Sequence, residues 1–452
     1  MLKIPERQLK MKRNQTATRR IFALVFLTLA LSLIFALTSC SGGSEEILSR
    51  DELYENVSAD SYDGYDYVWK YLDRWNFPAF NSTKIKNAEY IVKRNLYKEL
   101  PPSASLAKSC ANEFLDEYYD KINLKDKNAV TDALLNCYVA SLDDRWATYR
   151  TPDEYSSYNS SSSGTLIGIG ITVTVGETDG GIKILNTVSG SPAEASGILA
   201  GDIIVAIDDT RVENMDFITA TSLIAGEVGT KVKITVLRNG SELVFDIMRA
   251  MIDETTVSYS IEDGIGYIRI SSFKLNTDEQ FKAAIDYMKQ NGVDSVIYDL
   301  RENLGGYLTT VFEMLEYLAP KGTTLVSFSD GTSPMVDESD ESYLPYAVVL
   351  TDYNTASAAE LFTAAVRDLS KMGYGKAISL GETTRGKVVM QSTFSLGDGS
   401  AITFTSAYYN PPSGENFHEI GITPDVSVAL DGVSDTQFER ATEEILKLKA
   451  AS

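Results

Sequence analysis

Histidine is almost absent from this chain: 452 residues contain one, His418. That scarcity nearly excludes a Ser-His-Asp arrangement, and a lone imidazole has no partner at metal-site spacing. His418 itself lies in Glu415-Asn416-Phe417-His418-Glu419, beside a turn, and reads as a surface-loop residue. Cysteine is scarce too, at three residues, Cys40, Cys110 and Cys137. No phosphate-binding glycine loop, metal-ligand cluster or internal repeat is present, so no cofactor and no metal is expected. Positive charge is also short, with 41 basic against 63 acidic residues and a net charge of −22. A body this acidic argues against nucleic acid or an anionic membrane surface as partner.

Only one long hydrophobic run occurs. Seven basic and one acidic side chain in the first twenty residues precede the run at 21–37, followed by Leu37-Thr38-Ser39-Cys40. A run of about 17 residues is at the lower limit for a bilayer span. The layout is that of a signal peptide over 1–39. Leu-Thr-Ser-Cys resembles the bacterial lipoprotein processing site. The resemblance implies a lipid on Cys40 and a mature chain tethered in the bacterial cell envelope, outside the cytoplasm. An uncleaved anchor is the alternative, and Met11 is a second possible start. Removing 1–39 takes away seven positive charges and one negative charge, leaving −28.

The length predicts two to four domains. Residues 40–57 read as a tether, beginning with Ser, Gly and Glu. Residues 58–155 carry helical spacing, such as Val68, Leu72 and Trp75, and predict a small helical domain. Cys110 and Cys137 fall within this pattern, either as buried thiols or as one disulfide. The serine-rich stretch 156–164 reads as a linker. Residues 164–252 predict a compact α+β unit with strands at 166–175, 181–187, 202–207, 231–238 and 241–248 and short helices after Ser191-Pro192 and over 217–225. Asn239-Gly240 is the hairpin signal, since both turn positions favour positive φ. From 253 to 452 the pattern becomes alternating α/β. Strands are expected at 266–271, 294–299 and 347–350, helices at 277–290, 308–318, 358–369 and 438–450, and β texture over 391–408.

Three patches carry candidate chemistry. Ser357 follows a buried strand and opens a helix in Ser357-Ala358-Ala359-Glu360. Ser-x-x-Glu is a capping box, yet a strand-to-helix turn also exposes a nucleophile beside backbone amides. Lys387 lies among apolar neighbours after Gly386. On a strand, Lys387, Val389 and Gln391 would share one face, letting Gln391 orient the amine. Burial lowers a lysine pKa from about 10.4, so such an amine can serve as a base without histidine. An edge-strand lysine with its head in water is the alternative. Asp299-Leu300-Arg301-Glu302-Asn303-Leu304-Gly305-Gly306 ends in a turn that can aim amides at an oxyanion or simply reverse the chain.

Taken together with Leu142-Asp143-Asp144, Tyr408-Tyr409 and Gly421-Ile422-Thr423-Pro424-Asp425, these patches resemble the C-terminal processing peptidases, or tail-specific proteases. The resemblance implies a crotonase-like core and a serine-lysine endopeptidase. Ser357 would be the nucleophile, Lys387 the general base and Gln391 its orienting partner, with the amides of Ala358 and of Gly305 or Gly306 as the oxyanion hole. Two positions depart from the common pattern: Leu304 stands where proline is usual, and Val388 where glycine is. Residues 165–252 are similar to a PDZ domain, with Gly168-Ile169-Gly170-Ile171 as the peptide-binding loop. The implied partners are proteins or peptides with accessible C-terminal tails. An inert core beside a peptide-binding PDZ scaffold is the alternative function.

Overall fold

The computed structural model describes residues 80–97, 112, 114–175, 181–188, 190–213, 215–430 and 434–451. The expected signal peptide 1–39, the lipidation site Cys40, the tether 40–57 and Cys110 lie outside the described residues. Cys137 is buried in the helix Lys127–Ala140. Among the described residues no helix is long and apolar enough to cross a membrane.

The N-terminal region is helical where described. Asn81 caps Ser82–Asn95 by accepting from the Lys84 amide, and Asp126 caps Lys127–Ala140 through the amides of Asn128 and Ala129. These helices do not stand apart from the rest. Buried Lys84 bonds Asp132, Tyr149 and Asp398, at 3.1, 2.7 and 2.8 Å. The strand that follows, Thr148–Arg150, pairs antiparallel with Ala401–Asn410, near the far end of the chain.

Residues 156–164, expected as a linker, belong mostly to the helix Pro152–Ser162. The local reason is upstream of the serines: Thr151 and Glu154 form a full capping box, and Pro152 takes the first helical position, where its missing amide costs nothing. A start this strong carries the chain through a weak helix-forming run.

Residues 165–253 form the expected α+β unit. The hairpin Lys231–Arg238/Ser241–Met248 turns at Asn239 and Gly240, with φ of 52° and 77°. Isoleucines and valines of alternate positions, including Ile184, Ile204, Ile234 and Ile247, fill its core. The strand expected over 166–175 is two strands, Thr165–Gly168 and Ile171–Val175, because the chain bends at Ile169-Gly170, where Gly170 has φ +83°. The first pairs with Ala250–Asp253 and the second with Ile182–Thr187.

The C-terminal unit is a six-stranded sheet covered on both faces. Its order runs Val257–Glu262, Ile265–Ile270, Ser295–Asp299, Tyr346–Thr351, Lys376–Gly381, Val426–Ser427, parallel except for the first pair. Side chains alternate between two cores, as a period of two requires. Val296, Tyr298, Ala347 and Val349 face the helices Thr277–Gln290, Leu308–Glu316 and Ala358–Lys371, while Ile297, Val348 and Leu350 face Thr436–Ala450. Phe281, Tyr298 and Phe362 meet edge-on or tilted at 5.4–6.1 Å. Truncating one such aromatic to alanine costs about 3–5 kcal/mol. A second sheet contains Thr148–Arg150, Ala401–Asn410, Thr324–Phe328 and Met335–Val336, with Val389–Ser395 also paired to Ala401–Asn410. Gly305, Gly306 and Ser357 follow the C-terminal ends of Ser295–Asp299 and Tyr346–Thr351, and Lys387 precedes Val389–Ser395 of the second sheet.

Candidate active site

Ser357 sits at the turn between Tyr346–Thr351 and Ala358–Lys371 with φ +57° and ψ −120°. This is a region that serine avoids at a cost of about 1–3 kcal/mol, so neighbours must hold it. They do so from both sides. Asp352 accepts from the amides of Asn354 and Thr355 at 2.9 Å, Thr355 bonds the Leu300 carbonyl, and the Ala356 amide bonds the Asn303 carbonyl. The box expected of Ser-x-x-Glu forms in part: the Glu360 carboxylate accepts the Ser357 amide at 2.8 Å. Buried Tyr409 lines the same cavity as Ser357 and donates its phenol to the Lys387 carbonyl at 3.2 Å.

Gly305 packs against this turn, and Gly306 against the backbone of Phe273. A Cβ on Gly305, at φ +99°, would lie 2.7 Å from the Ala356 carbonyl and 3.0 Å from the Ala358 amide, so only glycine lets the two loops approach. Buried Asn303 shapes the pair: its side chain accepts the Gly305 amide and donates to the Ile270 carbonyl, both at 2.8 Å. The Gly305 amide is thereby already taken by Asn303. Leu304, the residue in place of proline, is exposed at the rim.

Lys387 approaches from the opposite side. It does not lie on a strand as expected. The strand begins at Val389, and its register shifts between Met390 and Gln391. The expected meeting of Lys387 and Gln391 nevertheless occurs, with Nζ donating to Oε1 at 2.8 Å. Gln391 is itself fixed by donating to the Trp146 carbonyl at 2.8 Å, and the Trp146 ring covers the amine at 4.4 Å. Burial pushes the Lys387 amine below the ordinary lysine range. Asp144 opposes the shift, Arg385 and Arg145 reinforce it, and Glu360 opposes it. Val388, the residue in place of glycine, is buried in the main core, and its amide bonds His418 Nδ1 at 3.3 Å. His418 is therefore half-buried against Tyr408 rather than free on a loop.

One buried carboxylate ties the two sides together. Besides the Ser357 amide, Glu360 accepts from Thr384 Oγ1 at 2.5 Å and from the amides of Gly386 and Lys387 at 2.6 and 2.8 Å. Four donors on one carboxylate fix the backbone of Ser357 relative to that of Lys387. Ser357, Ala358, Gly305, Gly306, Lys387 and Gln391 all line one cavity of about 630 Å³. Tyr155 and Tyr158 of the 152–162 helix form its far wall. Sequence reasoning assigned no role to Trp146, Asn303 or Tyr409 and gave Glu360 only that of a helix cap. Asn303 and Glu360 stand inside the motifs 299–306 and 357–360, Tyr409 inside Tyr408-Tyr409, and Trp146 two residues after Leu142-Asp143-Asp144, but none of these motifs states the contact its residue makes.

The expected peptide-binding residues are elsewhere, in the 165–253 unit. The carbonyls of Ile169 and Gly170 are taken by the amides of Ala193 and Val188, and Ser191 adds its hydroxyl to Gly170. This holds the Gly168-Ile169-Gly170-Ile171 bend at the head of the strand Ile171–Val175.

Residues 264–428 match the model of peptidase family S41, and residues 167–248 match that of the PDZ domain. The carboxyl-terminal-processing protease of Synechocystis sp. is 30% identical over 346 residues, covering 73% of this chain and 80% of that protein. The carboxy-terminal processing protease CtpA of Bacillus subtilis is 33% identical over 319 residues, 70% of this chain and 66% of that protein. The probable CtpA-like serine protease of Staphylococcus haemolyticus is also 33% identical over 319 residues, 70% of this chain and 62% of that protein. The chain spans about two thirds of the length of these last two relatives.

Proposed function

Because the chain belongs to the carboxyl-terminal processing proteases of peptidase family S41 and carries their PDZ domain, we propose that it is a serine endopeptidase working through Ser357 and Lys387. The Ser357 hydroxyl attacks the peptide carbonyl carbon while the neutral Lys387 amine takes its proton. The same proton passes to the departing amine as the C–N bond breaks and the acyl-serine forms. Water then hydrolyses the ester with Lys387 again as base. Gln391 orients the amine, and the amides of Ala358 and Gly306 bind the oxyanion. The observation that carries this reading is the setting of Lys387: its hydrogen-bond acceptor is a neutral amide and its cover an aromatic ring, in the cavity it shares with Ser357.

The PDZ domain captures the substrate's C-terminal tail at Gly168, Ile169, Gly170 and Ile171, the tail adding as a strand beside Ile171–Val175. The signal layout around Cys40 supports a lipid-anchored enzyme outside the cytoplasm. The test is cleavage of an unfolded protein bearing an apolar C-terminal tail by the purified protein, beside Ser357→Ala and Lys387→Ala forms. Cleavage by the parent alone is expected. Tail binding by all three without cleavage by any would favour the inert PDZ scaffold.

A further inference from the structure

The wall of the cleft has a charge opposite to that of the chain. Its lining includes Arg150, Lys274 and Lys387 and no aspartate or glutamate, in a sequence with 63 acidic and 41 basic residues. Two of these cations are accounted for. Lys274 is paired with Glu254, and burial holds Lys387 below the ordinary lysine range. Arg150 has no carboxylate partner among the described residues. It is nonetheless fixed in place: Nη1 donates to Thr403 Oγ1 at 3.0 Å, and the guanidinium lies over the Tyr158 ring at 4.1 Å. Its backbone is pinned by the pairing of Thr148–Arg150 with Ala401–Asn410. A guanidinium offers five donors in a rigid fork suited to a carboxylate, and stacking on one face leaves its edges open. Held in advance and lacking a counter-ion, it lowers the cost of ordering a charged ligand.

We propose that the peptide strand lying in this cleft presents an acidic side chain to Arg150, so that the protein selects Asp or Glu near the bond it attacks and rejects Lys or Arg there. The assignment deepens the peptidase reading of Ser357 and rests on it for the direction in which the strand reacts. A chain's own terminal carboxylate has the same chemistry. It is held by the PDZ loop in that reading, which leaves a side chain for Arg150.

The test uses the full-length protein and C-terminally amidated peptides identical except for Glu, Gln or Lys placed in turn at each position around the cleaved bond. At one position the parent is expected to prefer Glu over Lys by about tenfold or more in kcat/KM, the range of a charge-assisted hydrogen bond. Arg150→Gln should bring that ratio to within about twofold, Arg150→Lys should keep part of it, and Arg150→Glu should invert it. Ratios within one variant are independent of how much of it is folded. An equal preference in the parent and Arg150→Gln, or no preference at any position, overturns the proposal. So does a preference that follows the free C-terminus of an unamidated peptide rather than the Glu. If no form cleaves, the peptidase reading has failed separately. Equilibrium binding of the same peptides to Ser357→Ala, with and without Arg150→Gln, then tests the subsite by the same ratio: a Glu preference that Arg150→Gln removes supports it, and a ratio that Arg150→Gln leaves unchanged overturns it.

Discussion

The two halves of the candidate dyad are held in different ways. Ser357 is fixed by its own neighbourhood: the 352–356 turn, the 300–305 loop it bonds and the helix it opens all follow the carboxyl ends of two adjacent central strands of one sheet. Lys387 lies on a segment without regular structure and is positioned by groups remote in sequence, above all Trp146 through Gln391. The difference separates two demands. A nucleophile needs a strained, immobile backbone, whereas a lysine base needs dryness, and dryness is supplied by covering it from elsewhere.

The sharpest way to break the nucleophile side is Gly305→Ala, whose Cβ would meet the Ala356 carbonyl at 2.7 Å at a φ of +99°. Loss of kcat/KM by about a thousandfold and of stability by about 3 kcal/mol is expected from strain plus overpacking. Steady-state kinetics and denaturant unfolding would report both, and activity retained within tenfold would mean that the two loops are not locked together. Glu360→Gln attacks the link between the sides, replacing a carboxylate that accepts four donors by an amide with one acceptor oxygen. The expected effect is about a hundredfold in kcat and about 2 kcal/mol of stability. A change confined to KM would contradict a role in aligning the reacting groups.

Trp146→Ala tests the lysine side alone. Water reaching the ammonium raises the depressed Lys387 pKa toward 10.5, so less free amine is present at neutral pH. We expect kcat/KM near pH 7 to fall about tenfold for each unit of rise, with the loss recovered in alkali. A pH-independent loss would show that Trp146 acts on shape rather than on protonation. The smallest effect is expected from His418→Ala, which removes the acceptor of the Val388 amide at 3.3 Å. Denaturant unfolding should register about 1 kcal/mol or less.

What was legible in the sequence follows the same division. The patterns that place Ser357 and the glycine pair are local, since a strand, a turn and a Ser-x-x-Glu helix start run consecutively over 347–360, and the glycine pair closes the run that starts with the strand at 294. The buried sheet and the Asn239-Gly240 hairpin were readable for the same reason. The cover over Lys387 was not, because Trp146 and Gln391 are separated by 245 residues and neither carries a periodic signal. The same-face argument for Lys387 and Gln391 reached a correct contact from a wrong premise, a strand that begins two residues later and then shifts register. In the 152–162 helix the capping box at Thr151 outweighed the serines that suggested a linker. The family motifs pointed to the candidate residues Ser357 and Lys387, but the side chains that hold them had to be seen in place.

Glu360 also bears on how the site moves. Its two carboxylate oxygens are joined to one carbon, and the amide of Ser357 and the amide of Lys387 hang from the same oxygen, each at 2.8 Å. Displacements of the helix and of the lysine segment are thereby correlated, as for two arms on a common pivot. A shared acceptor atom limits how far those two amides can part without breaking a charge-assisted bond.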